Sequence, residues 1–93
     1  MLFYLVCYDI TDNKRRTKVA DILEGYGSRV QYSVFECILN SQQYKELRQK
    51  LRRIFKEKED SLRFYCISRH TFKHIEVWGV NSDITKPFSS LII

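Results

Sequence analysis

The sequence predicts a single α+β domain in which two helices cover one face of an antiparallel sheet. Short stretches rich in β-forming residues are typical of strands, and two longer stretches carry apolar residues at helical spacing. The strand and helix stretches occur in the order β-α-β-β-α-β, which is typical of two helices covering one face of an antiparallel sheet. With 93 residues, the chain has room for one hydrophobic core.

The composition excludes several classes of protein. Hydrophobic residues make up 44% of the chain and aromatic residues 14%, which rules out a disordered tail. A two-domain enzyme with its own cofactor fold would not fit this length. No apolar run is long enough for a helix that spans a membrane. No basic region precedes the first apolar residues, so we expect no secretory signal.

The cysteines indicate the compartment. Cys7, Cys37 and Cys66 are odd in number and far apart, and they form no C-x-x-C pair. We therefore expect buried free thiols, which are typical of a reducing cytoplasm. This predicts a cytoplasmic protein without a membrane partner.

The first part of the chain predicts a strand followed by a helix. Residues 2–9 are rich in β-formers and contain no charged residue before Asp9, which favours a central strand buried on both faces. Polar residues 11–13 offer helix caps, and Gly25 or Gly27 ends the helix. The apolar stripe of this helix consists of Val19, Ile22, Leu23 and Tyr26.

Residues 29–39 predict two short strands. The apolar residues change parity within this stretch, from Val30, Tyr32 and Val34 to Phe35, Cys37 and Leu39. A bulge, a kink or a tight reversal near Val34 and Phe35 would explain the change. We interpret the stretch as two strands that could form one hairpin.

The second half predicts a helix, a strand and a further strand. Asn40 or Ser41 caps the helix, residues 62–68 form a strand, and residues 75–79 form an additional C-terminal strand after a loop. The helix stripe consists of Tyr44, Leu47, Leu51, Ile54 and Phe55. The order predicts a ferredoxin-like βαββαβ sandwich over residues 1–79, followed by a C-terminal tail at 80–93.

The first strand also predicts a homodimer. It is apolar on both faces, although two helices can cover only one face of a sheet. The uncovered face would expose an apolar patch on the order of several hundred Å². A two-fold partner is the commonest cover for such a face, and we expect the tail to pack on the partner subunit.

The charge distribution predicts a polyanionic partner. Sixteen Lys and Arg oppose eleven acids, which gives a net charge of +5. A first basic cluster contains Lys14, Arg15, Arg16 and Lys18, and a second contains Lys45, Arg48, Lys50, Arg52, Arg53, Lys56 and Lys58. Such surfaces suit nucleic acid, because phosphate contacts release counterions. For the second cluster, an ordinary solvated helix face is the alternative.

Asp9 is the acid that carries the most chemical information. It ends an apolar strand on the parity of Phe3, Leu5 and Cys7, where an unpaired carboxylate is costly. If that face is the dimer interface, two Asp9 carboxylates approach each other and require a cation between them. Mg²⁺ takes few carboxylates and keeps several waters, and it could activate water for phosphodiester hydrolysis. The alternative is that Asp9 or Asp12 only caps the first helix.

Three motifs carry a resemblance to a known family. They are Tyr8-Asp9-Ile10, Arg16-x-Lys18-Val19 and the stretch from Gly27 to Glu36 that contains Arg29-Val30-Gln31-Tyr32-Ser33-Val34-Phe35. Over most of its length the chain resembles the small CRISPR-associated Cas-two family, which acts with the CRISPR integrase in spacer acquisition. The resemblance implies a homodimeric, Mg²⁺-dependent endonuclease acting on single-stranded RNA or duplex DNA. Two alternatives are a non-catalytic scaffold of the integration complex and a related dimeric ribonuclease toxin.

The resemblance also implies residue roles. Asp9 matches the metal ligand and catalytic residue, and Tyr8 matches the neighbouring aromatic of the catalytic site. Nucleic-acid handling is implied for Arg16, Lys18, Arg29 and Phe35, and Arg15 joins them from the first basic cluster. Lys18 stands where the family often has arginine, which keeps the charge but loses bidentate phosphate geometry.

Overall fold

Four strands form one antiparallel sheet with two long helices on one side. The computed structural model describes residues 1–80. The elements are β1 (Leu2–Asp9), α1 (Asn13–Glu24), β2 (Gly27–Gln31), β3 (Val34–Leu39), α2 (Ser41–Arg52), β4 (Ser61–Ile67) and α3 (Arg69–Phe72). The strand order is β2-β3-β1-β4, and all neighbouring strands are antiparallel. The predicted ferredoxin-like βαββαβ order is therefore confirmed.

The predicted hairpin is formed by β2 and β3. The two strands are joined by a turn at Tyr32 and Ser33, and the register shifts between Arg29 and Gln31. The change of apolar parity after Val34 falls inside β3, just after this reversal, because Val34 pairs with Cys7 on one face of the sheet and Phe35 lies with Val6 in the core on the other. A turn of this kind places both strands on the same side of β1, with β3 as its direct neighbour.

Both long helices begin at side-chain caps. The Asp12 carboxylate accepts a hydrogen bond of 2.9 Å from the backbone N–H of Arg15, and α1 ends at Gly25. Asn40 and Gln43 form a reciprocal capping box with hydrogen bonds of 2.8 and 2.9 Å. Two stripe residues, Ile54 and Phe55, lie beyond the end of α2 at Arg52. Ile54 is in a turn and still packs against the core.

The main core lies between the sheet and the two long helices. Side chains alternate along a strand, so Tyr4, Val6 and Tyr8 of β1 all point to this side. Tyr4 stacks on Tyr44 of α2 with ring centroids 4.1 Å apart. Helix and sheet contribute the remaining fully buried side chains, which include Val19, Leu23, Phe35, Leu39, Leu47 and Leu51.

The opposite sheet face is covered over part of its area. Phe3 is buried there against Phe72 of α3, with ring centroids 5.3 Å apart, and Ile38, Ile67 and Ile75 pack around the pair. The rest of this face stays partly exposed, and we call it the open face. It consists of Leu5, Cys7, Val34 and Tyr65.

The C-terminal segment differs from the sequence prediction. Residues 69–72 form a short helix where a loop was expected, because Ser68 caps them and Phe72 fills a gap over Phe3. Residues 75–78 lie along the sheet without strand pairing among residues 1–80, so the expected strand at 75–79 is not formed there. The expected contact of the tail at 80–93 with a partner stays a prediction, because residues 81–93 lie outside the described residues.

The thiols are not all buried as expected. Cys37 is buried and Cys7 is half-buried, but Cys66 is exposed because it lies on the edge strand β4. Burial raises the pKa of the Cys37 thiol to about 11. Within residues 1–80, we find no helix with the length and apolar character needed to cross a membrane.

Candidate functional site

The candidate site is centred on Asp9, the last residue of β1. Asp9 lies opposite Ser61 of β4, and strand alternation puts its side chain on the side of Leu5 and Cys7, at the rim of the open face. The carboxylate is exposed. Among the residues described, it makes no hydrogen bond and no ion pair. The Asp9 carboxylate is therefore available to a ligand.

Asp12, and not Asp9, caps the first helix. The hydrogen bond from the backbone N–H of Arg15 lowers the pKa of the Asp12 carboxyl, because it stabilises the charged form. This assignment resolves the alternative that the sequence left open. The helix start needs only Asp12, so helix capping does not explain why an acid stands at position 9.

Arg16 is bound to the turn that directly follows Asp9. Its Nη1 donates hydrogen bonds to the backbone carbonyls of Ile10 and Thr11, at 3.0 and 3.3 Å. Its Nη2 donates to the side-chain oxygen of Asn13. The resemblance implied that Arg16 handles nucleic acid. In the structure, its guanidinium is engaged with the backbone of its own chain.

Arg15 is engaged in a partly buried ion-pair network. Its Nε and Nη2 donate to the two carboxylate oxygens of Asp60, at 2.9 and 3.0 Å, and Nη2 also lies 3.4 Å from Glu59 Oε1. The Asp60 side chain is 0% exposed, and it also accepts a hydrogen bond from the backbone N–H of Lys56. The contacts of Arg15 therefore do not support its expected role as a phosphate ligand.

Tyr8 and Asp9 do not share a site. Successive strand residues point to opposite faces, and Tyr8 lies in the helix-side core, where the residue is 5% exposed. Its phenol accepts a hydrogen bond of 3.3 Å from Arg29 Nη2 and donates one of 3.5 Å to the Tyr32 carbonyl. The expected catalytic role of Tyr8 beside Asp9 is therefore not supported by its position.

Phe35 is a core residue. Its ring is 0% exposed, packs beside Tyr8, and lies beneath the guanidinium of Arg29, with 5.2 Å between Arg29 Cζ and the ring centroid. The contact of this ring with nucleic acid that the resemblance implied is not available in the structure. Phe35 instead supports Arg29, which remains exposed on β2.

Several cations remain free to meet a polyanion. Lys14 and Lys18 are exposed on α1 and make no ion pair within residues 1–80. On α2, Arg48 lies over the ring of Tyr44, with 4.3 Å between its Cζ and the ring centroid. The other exposed cations of α2 and the turn after it are Lys45, Lys50, Arg52, Arg53, Lys56 and Lys58. These side chains, together with the exposed Arg29 of β2, are accessible to a polyanion, whereas Arg15 is not.

The Asp9 carboxylate fits Mg²⁺ as one of the two protein ligands of a site. No group of three or more His, Cys, Asp and Glu side chains forms a metal cluster in the part of the chain that the structure describes. A hard oxygen donor such as Asp9 matches Mg²⁺, which takes one or two carboxylates and completes its shell with water or phosphate oxygens. A second Asp9 from a two-fold partner at the open face would complete the pair.

Sequence reasoning missed Asp60 and Glu59 as part of this region. They lie 45 and 44 positions from Arg15, and no spacing rule connects residues so far apart. The only indication in the sequence was that two acidic residues directly precede β4 and could form ion pairs with the basic residues at the start of α1. It did not indicate whether Arg15 or Arg16 would form these ion pairs.

Comparisons with known proteins agree with this fold. A family model described as CRISPR associated protein Cas2 matches residues 1–75. The chain is 52% identical over 93 residues to the Synechocystis protein named CRISPR-associated endoribonuclease Cas2 3, covering 100% of both chains. It superimposes on the crystal structure of Streptococcus pyogenes Cas2 with a TM-score of 0.73 at 35% identity, covering 83% of this chain and 99% of that one. A chain of a partial Cas6-RT-Cas1–Cas2 complex matches with a TM-score of 0.73 at 36% identity, covering 89% of this chain and 88% of that one.

Proposed function

This chain belongs to the Cas2 family of CRISPR-associated proteins, and from that premise we propose that it is a metal-dependent endonuclease that uses Asp9. The observation that carries the proposal is the exposed Asp9 carboxylate, which has no partner among residues 1–80. Single-stranded RNA is the first substrate to test, because the relative at 52% identity is named an endoribonuclease. Duplex DNA is the second.

The proposed site requires a homodimer. One Asp9 is a sparse ligand set, whereas two of them brought together across the open face would bind Mg²⁺. When bound, Mg²⁺ supplies an activated water and neutralises charge on the scissile phosphate. The chain's own contribution is the position of Asp9 at the end of β1, at the rim of the open face. Lys14 and Lys18 contribute positive charge on the adjacent helix.

The proposed partners are nucleic acid and the CRISPR integrase. The exposed cations of α1 and α2 support phosphate contacts, which position a nucleic acid without reading its sequence. The similarity to a chain of a Cas1–Cas2 complex supports an integrase partner. Family membership favours this function over a ribonuclease toxin.

The test compares two carboxylate-to-amide changes three positions apart. Asp9→Asn removes the proposed ligand, and we expect cleavage of single-stranded RNA and duplex DNA in Mg²⁺ to fall to background. Asp12→Asn is the matched control, because asparagine caps a helix as well as aspartate does; it should keep wild-type activity. Equal activity of wild type and Asp9→Asn, with both proteins dimeric by light scattering, would refute the role of Asp9.

A non-catalytic scaffold is the second candidate. The observation that favours it is the absence of a three-ligand acidic or histidine cluster within residues 1–80, since metal nucleases of the two-metal type use more carboxylates. In that case, the wild type binds nucleic acid without cleaving it, and spacer acquisition in cells survives Asp9→Asn. Loss of acquisition with Asp9→Asn would favour the nuclease.

A further inference from the structure

We propose that Arg15 and Arg16 are positioning residues that hold the two turns on either side of Asp9, and that they are not ligands of nucleic-acid phosphates. The inference rests on the proposed role of Asp9. It changes the interpretation of the first basic cluster, which the sequence alone presents as one phosphate-binding surface. The structure divides this cluster into two engaged guanidiniums and two free ammonium groups.

Arg16 holds the turn that leaves Asp9. Two consecutive backbone carbonyls, at Ile10 and Thr11, accept hydrogen bonds from the same Nη1 atom. Ile10 is itself buried, at 3% exposure. The turn is therefore fixed both by the Ile10 side chain in the core and by the hydrogen bonds from Arg16. A guanidinium presents several N–H donors in one plane, which suits this arrangement, whereas an ammonium group concentrates its donors at one point.

Arg15 holds the backbone on the other side of Asp9. Its partner Asp60 directly precedes Ser61, and Ser61 is the residue of β4 paired with Asp9. The two hydrogen bonds to Asp60 are parallel and bidentate, at 2.9 and 3.0 Å, which gives directional as well as electrostatic stabilisation. The hydrogen bond from Arg15 lowers the pKa of the Asp60 carboxyl, so the pair remains charged at neutral pH.

Asp9 depends on these two turns because nothing within residues 1–80 holds its own carboxylate. The orientation of an exposed side chain without hydrogen bonds follows from the backbone that carries it. Groups that orient a metal ligand indirectly usually matter about 10- to 100-fold for metal affinity. We therefore expect the two arginines to affect metal binding more than phosphate binding.

Binding of phosphate would require either arginine to give up existing bonds. Arg15 is 13% exposed and its charge is balanced by Asp60 and Glu59. Arg16 would have to release backbone carbonyls that would then need new donors. Lys14 and Lys18 lie on the same helix, are exposed and have no bonds to lose within the described residues.

The first experiment measures how nucleic-acid affinity depends on salt. Arg16→Met removes the donors of the side chain, and Lys14→Met is the matched loss of one positive charge on the same helix. We expect Lys14→Met to reduce the slope of log affinity against log salt concentration by about one, as loss of a phosphate contact does. Arg16→Met should leave the slope for a short duplex DNA unchanged.

The second experiment measures the metal site without using activity. Mn²⁺ serves as the probe, and its free concentration is read from its electron paramagnetic resonance signal. We expect Arg16→Met to weaken Mn²⁺ binding about tenfold or more, with partial recovery in Arg16→Lys and wild-type affinity in Lys14→Met. Arg15→Lys keeps the charge but not the bidentate geometry, so it should weaken Mn²⁺ binding at an unchanged salt slope.

Backbone hydrogen exchange provides a readout that needs neither metal nor nucleic acid. We expect the amide of Arg15, which donates to the Asp12 carboxylate, to exchange faster in Arg16→Met. The amide of Lys56, which donates to the Asp60 carboxylate, should exchange faster in Arg15→Lys. The inference is overturned if Arg16→Met lowers the salt slope by about one, as Lys14→Met does, or if exchange at these amides does not change. If the wild type binds no Mn²⁺, the proposed function fails, while salt slope and exchange still decide the role of the arginines.

Discussion

Arg29 donates a hydrogen bond of 3.3 Å from Nη2 to the phenol oxygen of Tyr8, across the width of β3, which lies between their two strands. The contact raises the pKa of the Arg29 guanidinium, because it stabilises the charged form. The same phenol donates a hydrogen bond of 3.5 Å to the Tyr32 carbonyl at the hairpin turn. Tyr8 therefore links β1 to β2 and to the hairpin turn, on the helix side of the sheet.

The first prediction follows from this contact. Tyr8→Phe removes the hydroxyl but keeps the buried ring, and we expect a loss of about 0.5–1.5 kcal/mol in the free energy of unfolding. Cleavage of RNA at saturating Mg²⁺ should stay near the wild-type rate, because the phenol lies on the opposite face from Asp9. A rate loss of about a hundredfold or more would show instead that the phenol takes part in proton transfer.

The second prediction concerns pH and the Asp60 carboxyl. Its pKa is lowered in the folded state, chiefly by the hydrogen bonds from Arg15. A carboxyl with a lowered pKa contributes stability that is present above the unfolded value of about 3.9 and is lost as pH falls toward the folded value. We expect Asp60→Asn to lower the urea midpoint at pH 7 and to approach the wild type below about pH 4. A constant difference in midpoint across this range would contradict the assignment.

The third prediction separates a core role from a nucleic-acid role for Phe35. The ring is fully buried, so Phe35→Ala should lower the free energy of unfolding by about 3–5 kcal/mol. Phe35→Leu fills most of the volume and should cost about 1.5 kcal/mol or less. Nucleic-acid affinity of the folded Phe35→Leu protein should equal that of the wild type. A selective loss of affinity with unchanged stability would return Phe35 to the binding surface.

The fourth prediction concerns the close approach of Gly27 to β3. A Cβ at this position would overlap the Glu36 carbonyl and the Sγ and Cα of Cys37. We expect Gly27→Ala to destabilise the fold by about 1–3 kcal/mol in urea unfolding, because backbone as well as side chain would have to move. Gly25→Ala is the control: its added Cβ would meet only the Ile22 carbonyl, at 3.3 Å, and the effect should lie within about 0.5 kcal/mol.

The fifth prediction tests whether the open face is a dimer interface. Leu5 lies between Glu36 and Tyr65 at the centre of this face. Leu5→Lys would place a charge there, and we expect sedimentation velocity to change from dimer to monomer. Gln49→Lys adds the same charge on the exposed side of α2 and should leave the protein dimeric. A monomeric wild type at micromolar concentration would contradict the homodimer.

Local features of the fold could be predicted from the sequence, whereas long-range partners could not. The hairpin follows from one change of parity near Val34, and the α2 cap is narrowed to Asn40 or Ser41, because each depends on neighbours within a few positions. The structure has Asn40 as the cap. The pairing of Arg15 with Asp60 depends on the packing of α1 against the start of β4. No periodicity encodes that contact, so the sequence could not distinguish a tethered arginine from a free one.

The same limit applies to the candidate site. Asp9 could be identified because a carboxylate that ends an apolar strand is unusual on energetic grounds. The opposite directions of Tyr8 and Asp9 also follow from strand alternation, yet their adjacency in the motif favoured a shared role. The short helix α3 was missed because one buried aromatic, Phe72, stabilises it. A four-residue helix has too few positions to show a periodic pattern.

Trp78 is the only tryptophan of the chain, and it is 87% exposed beside the open face. Its indole emission therefore reports on a single location, and selective excitation separates it from the six tyrosines. Whatever covers that side of the sheet will move the emission to shorter wavelength and shield the indole from a soluble quencher. The emission of Trp78 can therefore be used, without a label, to follow assembly as the protein is diluted or titrated with salt or metal.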